Sequence, residues 1–282
     1  MKIKIFLSLI VVLAFYNCQK QSEVINLKGN WTYKLDKDNL GLNEQWQNLS
    51  FTDSIILPSS LRDKGIGNTP TLKTKWTGSI YDSTWYFNPA LEKYRKKDSL
   101  KFPFWLTPDK HFVGVAWYQK EITIPDNWKN KSIELLLERP HWQTKVWLDS
   151  LYIGTQNSLS VPHNFIVEKN IKPGKHLLTI RVDNAIRDLD VGINSHSISD
   201  HTQGNWNGIV GDIKLFSKNK YSINQLKLTP NIANKIVEAK IILNKKIKQN
   251  TKVSVVVNGL NHEHILEPLT YNFKKKYQRV KY

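Results

Sequence analysis

The chain has 282 residues and carries 41 Lys and Arg against 24 Asp and Glu, a formal net charge of +17. Hydrophobic residues make up 40% and charged residues 23%, a balance that excludes long disorder and allows one large domain or two smaller ones with real cores. A single cysteine, Cys18, excludes an internal disulfide, a cysteine-based zinc site and a Cys-x-x-Cys redox pair.

The first four residues, Met1-Lys2-Ile3-Lys4, form a basic start, and residues 5–15 form an apolar run of signal-peptide length, too short to span a membrane as a helix. Cys18 follows at once. A Cys directly after such a run resembles a bacterial lipoprotein cleavage site, where it becomes the lipidated first residue. The two residues before it, Tyr16 and Asn17, are not the small ones usual there, and an ordinary secretory signal with a chance Cys is the alternative. Either way residues 1–18 predict export, to the periplasm or to the outer-membrane or cell surface. The only membrane contact expected is a lipid anchor on Cys18.

Helical periodicity is nearly absent from the rest. Short alternating runs recur between turn residues, at 31–36, 116–124, 132–138, 144–148, 151–154, 176–182 and 212–216. Pro125-Asp126-Asn127, Asp149-Ser150 and Lys172-Pro173-Gly174-Lys175 read as the turns. Many short strands without interleaved helices predict an all-β sandwich or jelly roll. Residues 58–113 break the rhythm, with eight Pro and Gly and with Trp76, Trp85, Tyr86 and Trp105. An irregular stretch of this length inside a domain is usually functional. Its aromatic residues are either a sugar-stacking platform or pins that hold the loop down. A second strand series follows at 222–228, 236–243 and 252–257, and the chain closes on a very basic stretch, 271–282. Residues 220–282 are short against the roughly 100 that an immunoglobulin-like sandwich needs.

The positive charge does not predict a nucleic-acid partner. It is mostly lysine, spread along the chain apart from short clusters such as Lys93 to Lys97 and Lys274-Lys275-Lys276, with no accompanying nucleic-acid-binding motif. A solvated lysine surface is the simpler reading, with weak attraction to acidic polysaccharides as a further property.

From residue 27 to 216 the motifs fall in a familiar order. Leu27-Lys28-Gly29-Asn30-Trp31 is followed by Leu35-Asp36 and Gly41, then by Ile56-Leu57-Pro58-Ser59-Ser60. Ala116-Trp117-Tyr118-Gln119-Lys120 leads to Ile124-Pro125, and Leu137-Glu138-Arg139-Pro140-His141-Trp142 to Val146-Trp147-Leu148-Asp149. Gly154, Pro162-His163, Lys172-Pro173-Gly174 and Arg181-Val182-Asp183-Asn184 come next, and Thr202-Gln203-Gly204-Asn205-Trp206-Asn207-Gly208-Ile209-Val210-Gly211 closes the set. This order resembles the N-terminal sugar-binding domain of glycoside hydrolase family 2, the β-galactosidase, β-glucuronidase and β-mannosidase family.

The resemblance implies a galactose-binding-like jelly roll over 24–219, part of an immunoglobulin-like sandwich over 220–282, and a later (β/α)8 barrel that holds a retaining pair of Glu residues. Such a pair stands about 5–5.5 Å apart, one carboxyl as nucleophile and one as acid/base. The sequence ends before a barrel begins, so the expectation is the front of a truncated β-galactosidase-like enzyme, inactive alone and partnered by its missing barrel. The alternatives are a stand-alone carbohydrate-binding surface lipoprotein and a purely structural docking domain.

The resemblance also implies that the segment before the Gly208–Gly211 turn projects toward the barrel's sugar pocket. Asp200, Gln203, Asn205, Trp206 and Asn207 are then the candidate substrate-binding residues, with His201 nearby. Carboxylates and amides pair with vicinal hydroxyls, and an indole covers a sugar's apolar face. If sugar contact is their role, Asp200, Asn205 and Asn207 face solvent at one edge. The alternative has Trp206 filling the core, Asn205 capping backbone, and Gly208 and Gly211 setting a turn. Elsewhere His262 and His264 share one strand face, and Asp188, Asp190 and Asp200 form a loose acidic group. Neither has metal-site spacing, so no metal and no cofactor is expected.

Overall fold

The computed structural model describes residues 23–76, 87–95, 108–167, 171–186, 204–219, 221–231, 233, 236–243, 252–257, 260–265 and 270–276. Nearly all their regular structure is strand. In chain order the strands are β1 (Val24–Asn26), β2 (Gly29–Asp36), β3 (Asp53–Leu57), β4 (Ser59–Ser60), β5 (Val115–Ile124), β6 (Ser132–His141), β7 (Gln143–Leu148) and β8 (Leu151–Asn157). There follow β9 (His163–Val167), β10 (Gly174–Asp183), β11 (Gly208–Lys218), β12 (Ile223–Asn231), β13 (Ile236–Leu243), β14 (Lys252–Val257), β15 (Leu260–Ile265) and β16 (Thr270–Lys276).

Two antiparallel sheets make the first domain. One runs β1-β11-β6-β9 with β4 added beside β11, and the other runs β3-β2-β5-β10-β7-β8. Period-2 alternation gives each sheet an apolar inner face. On β6, Ile133, Leu135 and Leu137 are buried while Glu134, Leu136 and Glu138 between them are partly exposed. These meet Tyr118, Ile122, Ile180, Val182 and Val146 of the facing sheet in one core. The all-β sandwich expected from the sequence is the observed fold.

The six-stranded sheet is unusual in having part of its outer face buried as well. On β5, Val115, Trp117 and Gln119 point away from the main core yet are at most 2% exposed. The β2–β3 connection folds back over them, and Trp46, Phe51, Trp117 and Trp147 form a second aromatic cluster. Asp36 holds the connection down. Its carboxylate accepts from the Leu40 and Gly41 amides at 2.7 and 2.9 Å and from the Trp117 indole at 3.1 Å. Gly41 is required by contact, since a Cβ there would lie 2.7 Å from the Trp117 indole nitrogen. Beside this cluster, the Arg181 guanidinium donates to Asp183 at 3.1 Å and to Asn39 at 2.8 Å, a buried ion pair.

In the long segment 58–113, the described residues include β4, 3-10 turns at Arg62–Lys64 and Pro89–Tyr94, and a two-way backbone bridge between Asn68 and His111. Trp76 is 8% exposed and packs on the His111 ring at 4.8 Å, so it pins the segment down. Trp85, Tyr86 and Trp105 lie outside the described residues.

The second strand series forms a three-stranded sheet, β12-β13-β16, and a β14-β15 hairpin. His262 and His264 lie on β15.

His163 gives the core a titratable group. It is fully buried on β9, with Nε2 3.0 Å from the Ser158 carbonyl and Nδ1 2.6 Å from the Thr144 hydroxyl. A carbonyl only accepts, so Nε2 carries the proton and neutral Nδ1 accepts from Thr144. Burial pushes the imidazole pKa below its ordinary value, and the Ser158 carbonyl opposes this only in part. The unfolded chain titrates near pH 6.5. The contribution of neutral His163 is therefore complete above that pH and is lost as pH falls through the lower folded value. Wild type is expected to lose more stability than His163→Gln between about pH 7.5 and about pH 5.5. Urea midpoints measured across that range test this, and parallel curves would assign the acid sensitivity to other groups.

Candidate functional site

Five pieces of chain converge at one end of the sandwich: the start of β5, the end of β10, the β6–β7 corner, β4, and the start of β11. Gly208 pairs with both Ser60 and His141, so the residues just before β11 are set against β4 and the β6–β7 corner. Its φ of +147° puts it in a region that favours glycine, and a Cβ there would sit 2.5 Å from the Ser59 carbonyl oxygen. Gly211 is also a strand residue, at an irregularity in the β11–β6 register, with φ +88°. The Glu138 carboxylate occupies the space a side chain at Gly211 would need, and it accepts from the Asp212 amide at 2.6 Å. The expected Gly208–Gly211 turn is thus the bulged first part of β11, because both glycines serve close approach of neighbouring chain within a sheet.

The described part of the predicted site loop is 204–207. Asn207 is 1% exposed. Its Nδ2 group lies 3.0 Å from the Gly114 carbonyl, 3.1 Å from the Val182 carbonyl and 3.3 Å from Asn184 Oδ1. Its Oδ1 accepts from the Tyr118 hydroxyl at 2.9 Å, and its own carbonyl accepts from the Leu61 amide at 2.8 Å. Asn205, 2% exposed, exchanges two 2.9 Å hydrogen bonds with Asn184. Asn184 also bonds Gly114 N at 2.9 Å and the Phe112 carbonyl at 2.9 Å. Burial raises the Tyr118 phenol far above its usual pKa, with a smaller push from Tyr33, so it stays a neutral donor.

The expectation that Asn205 and Asn207 face solvent is therefore corrected. Their amides donate to backbone carbonyls at the strand ends inside the protein, where an unmet polar group is costly. Trp206 between them differs. It is only partly buried, and its indole stacks on the His141 ring at 4.6 Å and 19°. His141 Nδ1 lies 2.5 Å from the Trp206 carbonyl, which fixes that nitrogen as the donor. Trp206 thus lies over the β6–β7 corner and does not fill the core. Asp200, Gln203 and His201 lie outside the described residues, as do Asp188, Asp190 and Cys18.

Sequence reasoning quoted Tyr118, His141 and Asn184 within motifs but gave them no role. One signal was available: Asn184 follows directly on the last alternating residues of its strand, where a side-chain amide commonly satisfies terminal backbone groups. Among the described residues, no group of three or more His, Cys, Asp or Glu side chains is placed to hold a metal ion.

The sequence profile described as "Glycosyl hydrolases family 2, sugar binding domain" matches residues 24–219. The chain belongs to this family. Among solved structures, family-sized resemblance extends to the β-glucuronidase of Ruminococcus gnavus, at 14% identity with a TM-score of 0.52, over 88% of this chain and 38% of that one. The β-glucuronidase of an uncultured Clostridium species matches at 17% identity with a TM-score of 0.54, over 88% of this chain and 39% of that one. The R. gnavus enzyme in complex with D-glucuronic acid matches at 14% identity and a TM-score of 0.53. At these identities the likeness is one of fold, and this chain spans under two-fifths of the neighbours' length.

The Asn207 network is testable as a unit. Asn207→Leu keeps the volume roughly but leaves the Tyr118 hydroxyl and the Gly114 and Val182 carbonyls without this partner. At about 1–3 kcal/mol per orphaned buried group, an overall loss of about 3–5 kcal/mol is expected in denaturant unfolding. Adding Tyr118→Phe to Asn207→Leu is expected to cost less than Tyr118→Phe alone, because the hydroxyl has already lost its acceptor. Strict additivity would show that the two side chains do not act together.

Proposed function

We propose that this chain is the carbohydrate-binding front portion of an exported, retaining family 2 glycosidase, and that the segment leading to Gly208 forms one wall of its sugar site. The observation that carries this is the treatment of residues 205–207. Two buried asparagines clamp the backbone on either side of a partly exposed tryptophan, whose ring is held flat by His141. A rigid base below an aromatic face is what positions an apolar sugar face for stacking.

The division of labour follows from the chemistry. Retaining hydrolysis needs a nucleophilic carboxylate and an acid/base carboxyl about 5–5.5 Å apart, which the family's fold places in its barrel. The contribution assigned here is orientation and exclusion of water at the glycone. The ligand class is a β-linked glycoside. The sequence resemblance points to galactosides, and the structural neighbours' names point to glucuronides. The Cys18 anchor would hold this activity at the periplasmic or outer surface of a membrane, where extracellular glycans are met.

The burial of Asn205 and Asn207 also favours a second reading, in which this end of the sandwich only docks onto a partner domain. Saturation-transfer NMR separates the two. The chain is titrated with methyl β-galactoside, β-glucuronide and β-mannoside, and weak binding in the millimolar range is expected for at least one. Trp206→Ala is expected to abolish the transfer while changing stability by less than about 1 kcal/mol, because its indole is not a core residue. Transfer that survives Trp206→Ala, or its absence for all three sugars, would leave the docking reading. For the anchor, Cys18→Ser is expected to abolish palmitate labelling and move the protein from the membrane to the soluble fraction. Unchanged labelling and fractionation would rule the anchor out.

A further inference from the structure

The positive charge of the chain is unevenly distributed. Residues 220–282 contain 13 Lys and Arg against 3 Asp and Glu, a net of +10 out of the chain's +17. The strand register gathers part of that excess. On β13, Ala239, Ile241 and Leu243 are buried, while Glu238 and Lys240 on the opposite face are exposed. Lys227 of β12 is exposed and stands directly opposite Lys240. On the other side of β13, Lys274 of β16 stands opposite Glu238 and Lys276 opposite Ile236.

A directly opposed Lys–Lys pair is unfavourable in a sheet, because cross-strand Cβ atoms are only about 4.5–5.5 Å apart. A single acidic residue, Glu238, lies among the lysines of this register. A polyanion laid across the strands would relieve the repulsion at Lys227 and Lys240 and release its own counterions.

We propose that the face of the β12–β13 pair that carries Lys227 and Lys240 binds an acidic polysaccharide through its carboxylate groups. This site lies on a different sheet from the loop end that carries Trp206. Only the choice of polymer rests on the reading proposed above: in an exported family 2 chain, a carboxylated glycan is the polyanion that matches both the domain and the compartment. Lys227 and Lys240, on strands about 4.8 Å apart, face a ligand whose charges repeat along a chain. Binding of this kind holds a polymer near the enzyme without reading its terminal sugar, and it weakens with salt.

The test uses the full chain with polygalacturonate as probe and a neutral β-glucan as control, by affinity electrophoresis at low and high salt. Retention by polygalacturonate alone, lost at high salt, is expected. Lys227→Gln/Lys240→Gln is expected to weaken retention at least about fivefold, while Lys227→Arg/Lys240→Arg keeps it, since charge and not lysine packing is the cause. Lys37→Gln/Lys129→Gln removes the same charge from exposed positions of the jelly roll and is expected to change retention less than about twofold. Equal loss in both glutamine pairs would reduce the effect to net charge and overturn the site. So would weakening by the arginine pair, or retention on anionic phospholipid vesicles without retention by polygalacturonate. Trp206→Ala is expected to leave polygalacturonate retention intact. If it abolished retention instead, the polymer would be held at the loop end, and this proposal would fall while the sugar-site reading stood.

Discussion

Strand ends in a sandwich carry unpaired backbone groups, and at the loop end of this domain the side-chain amides of Asn184, Asn205 and Asn207 meet several of them. Asn207 caps the carbonyls of Gly114, just before β5, and Val182, near the end of β10, while receiving the Tyr118 hydroxyl from within the core. Its own backbone belongs to the chain entering β11, in the other sheet, and holds Leu61 beside β4. The two layers are therefore tied by hydrogen bonds at this end in addition to apolar packing. With both amide ends of Asn207 engaged, rotation of the side chain would break its contacts to β5 and β10 together. That coupling fixes where Trp206 stands relative to His141, and hence the shape the domain presents there.

The second constraint acts on the opposite face of the six-stranded sheet. Folding the β2–β3 connection over Trp117 and Trp147 converts a surface that would face water into an interior, so residues 115–119 of β5 and 178–183 of β10 are buried on both sides. An antiparallel sheet usually keeps one wet face. Here the cover brings polar groups inside, and several have a specific answer: Asp36 takes two amides and an indole, Gln119 reaches the Leu49 carbonyl, and Arg181 meets Asp183 and Asn39, while the buried Thr179 hydroxyl has no hydrogen-bond partner among the described residues. Removing one member of the buried Arg181–Asp183 pair would strand the other, which is a larger penalty than the pair's net worth.

The fold was largely legible in the sequence because alternation survives wherever one face is wet. Strands β6, β7 and β13 coincide closely with alternating runs. Six strands were missed: β1 has three residues, β4 has two, and β3 and β9 have five each, while β15 and β16 lie in the charged, weakly alternating end of the sequence. Residue type failed at the site for a chemical reason. A primary amide suits a sugar's vicinal hydroxyls and a pair of backbone carbonyls equally well, so Asn205 and Asn207 could not be sorted without knowing their burial. The glycines misled similarly. Gly208 and Gly211 are demanded by the Ser59 carbonyl and the Glu138 carboxylate, neighbours from distant parts of the sequence, and a local turn is only the commonest of the reasons for a glycine.

The outer aromatic cluster also has an optical consequence. Trp117 and Trp147 stack with centroids 5.1 Å apart and planes 25° from parallel, and Trp46 sits 6.2 Å from Trp117. Indoles this close couple their electronic transitions, so their far-ultraviolet circular dichroism is that of a coupled set, with paired bands of opposite sign. The signal depends on distance and mutual angle, and both are set by the connection that covers the sheet. Unlike fluorescence, which sums over all ten tryptophans of the chain, the couplet would report on this layer selectively. The domain thus carries an intrinsic gauge of whether its outer cover is seated, readable while the main core remains intact.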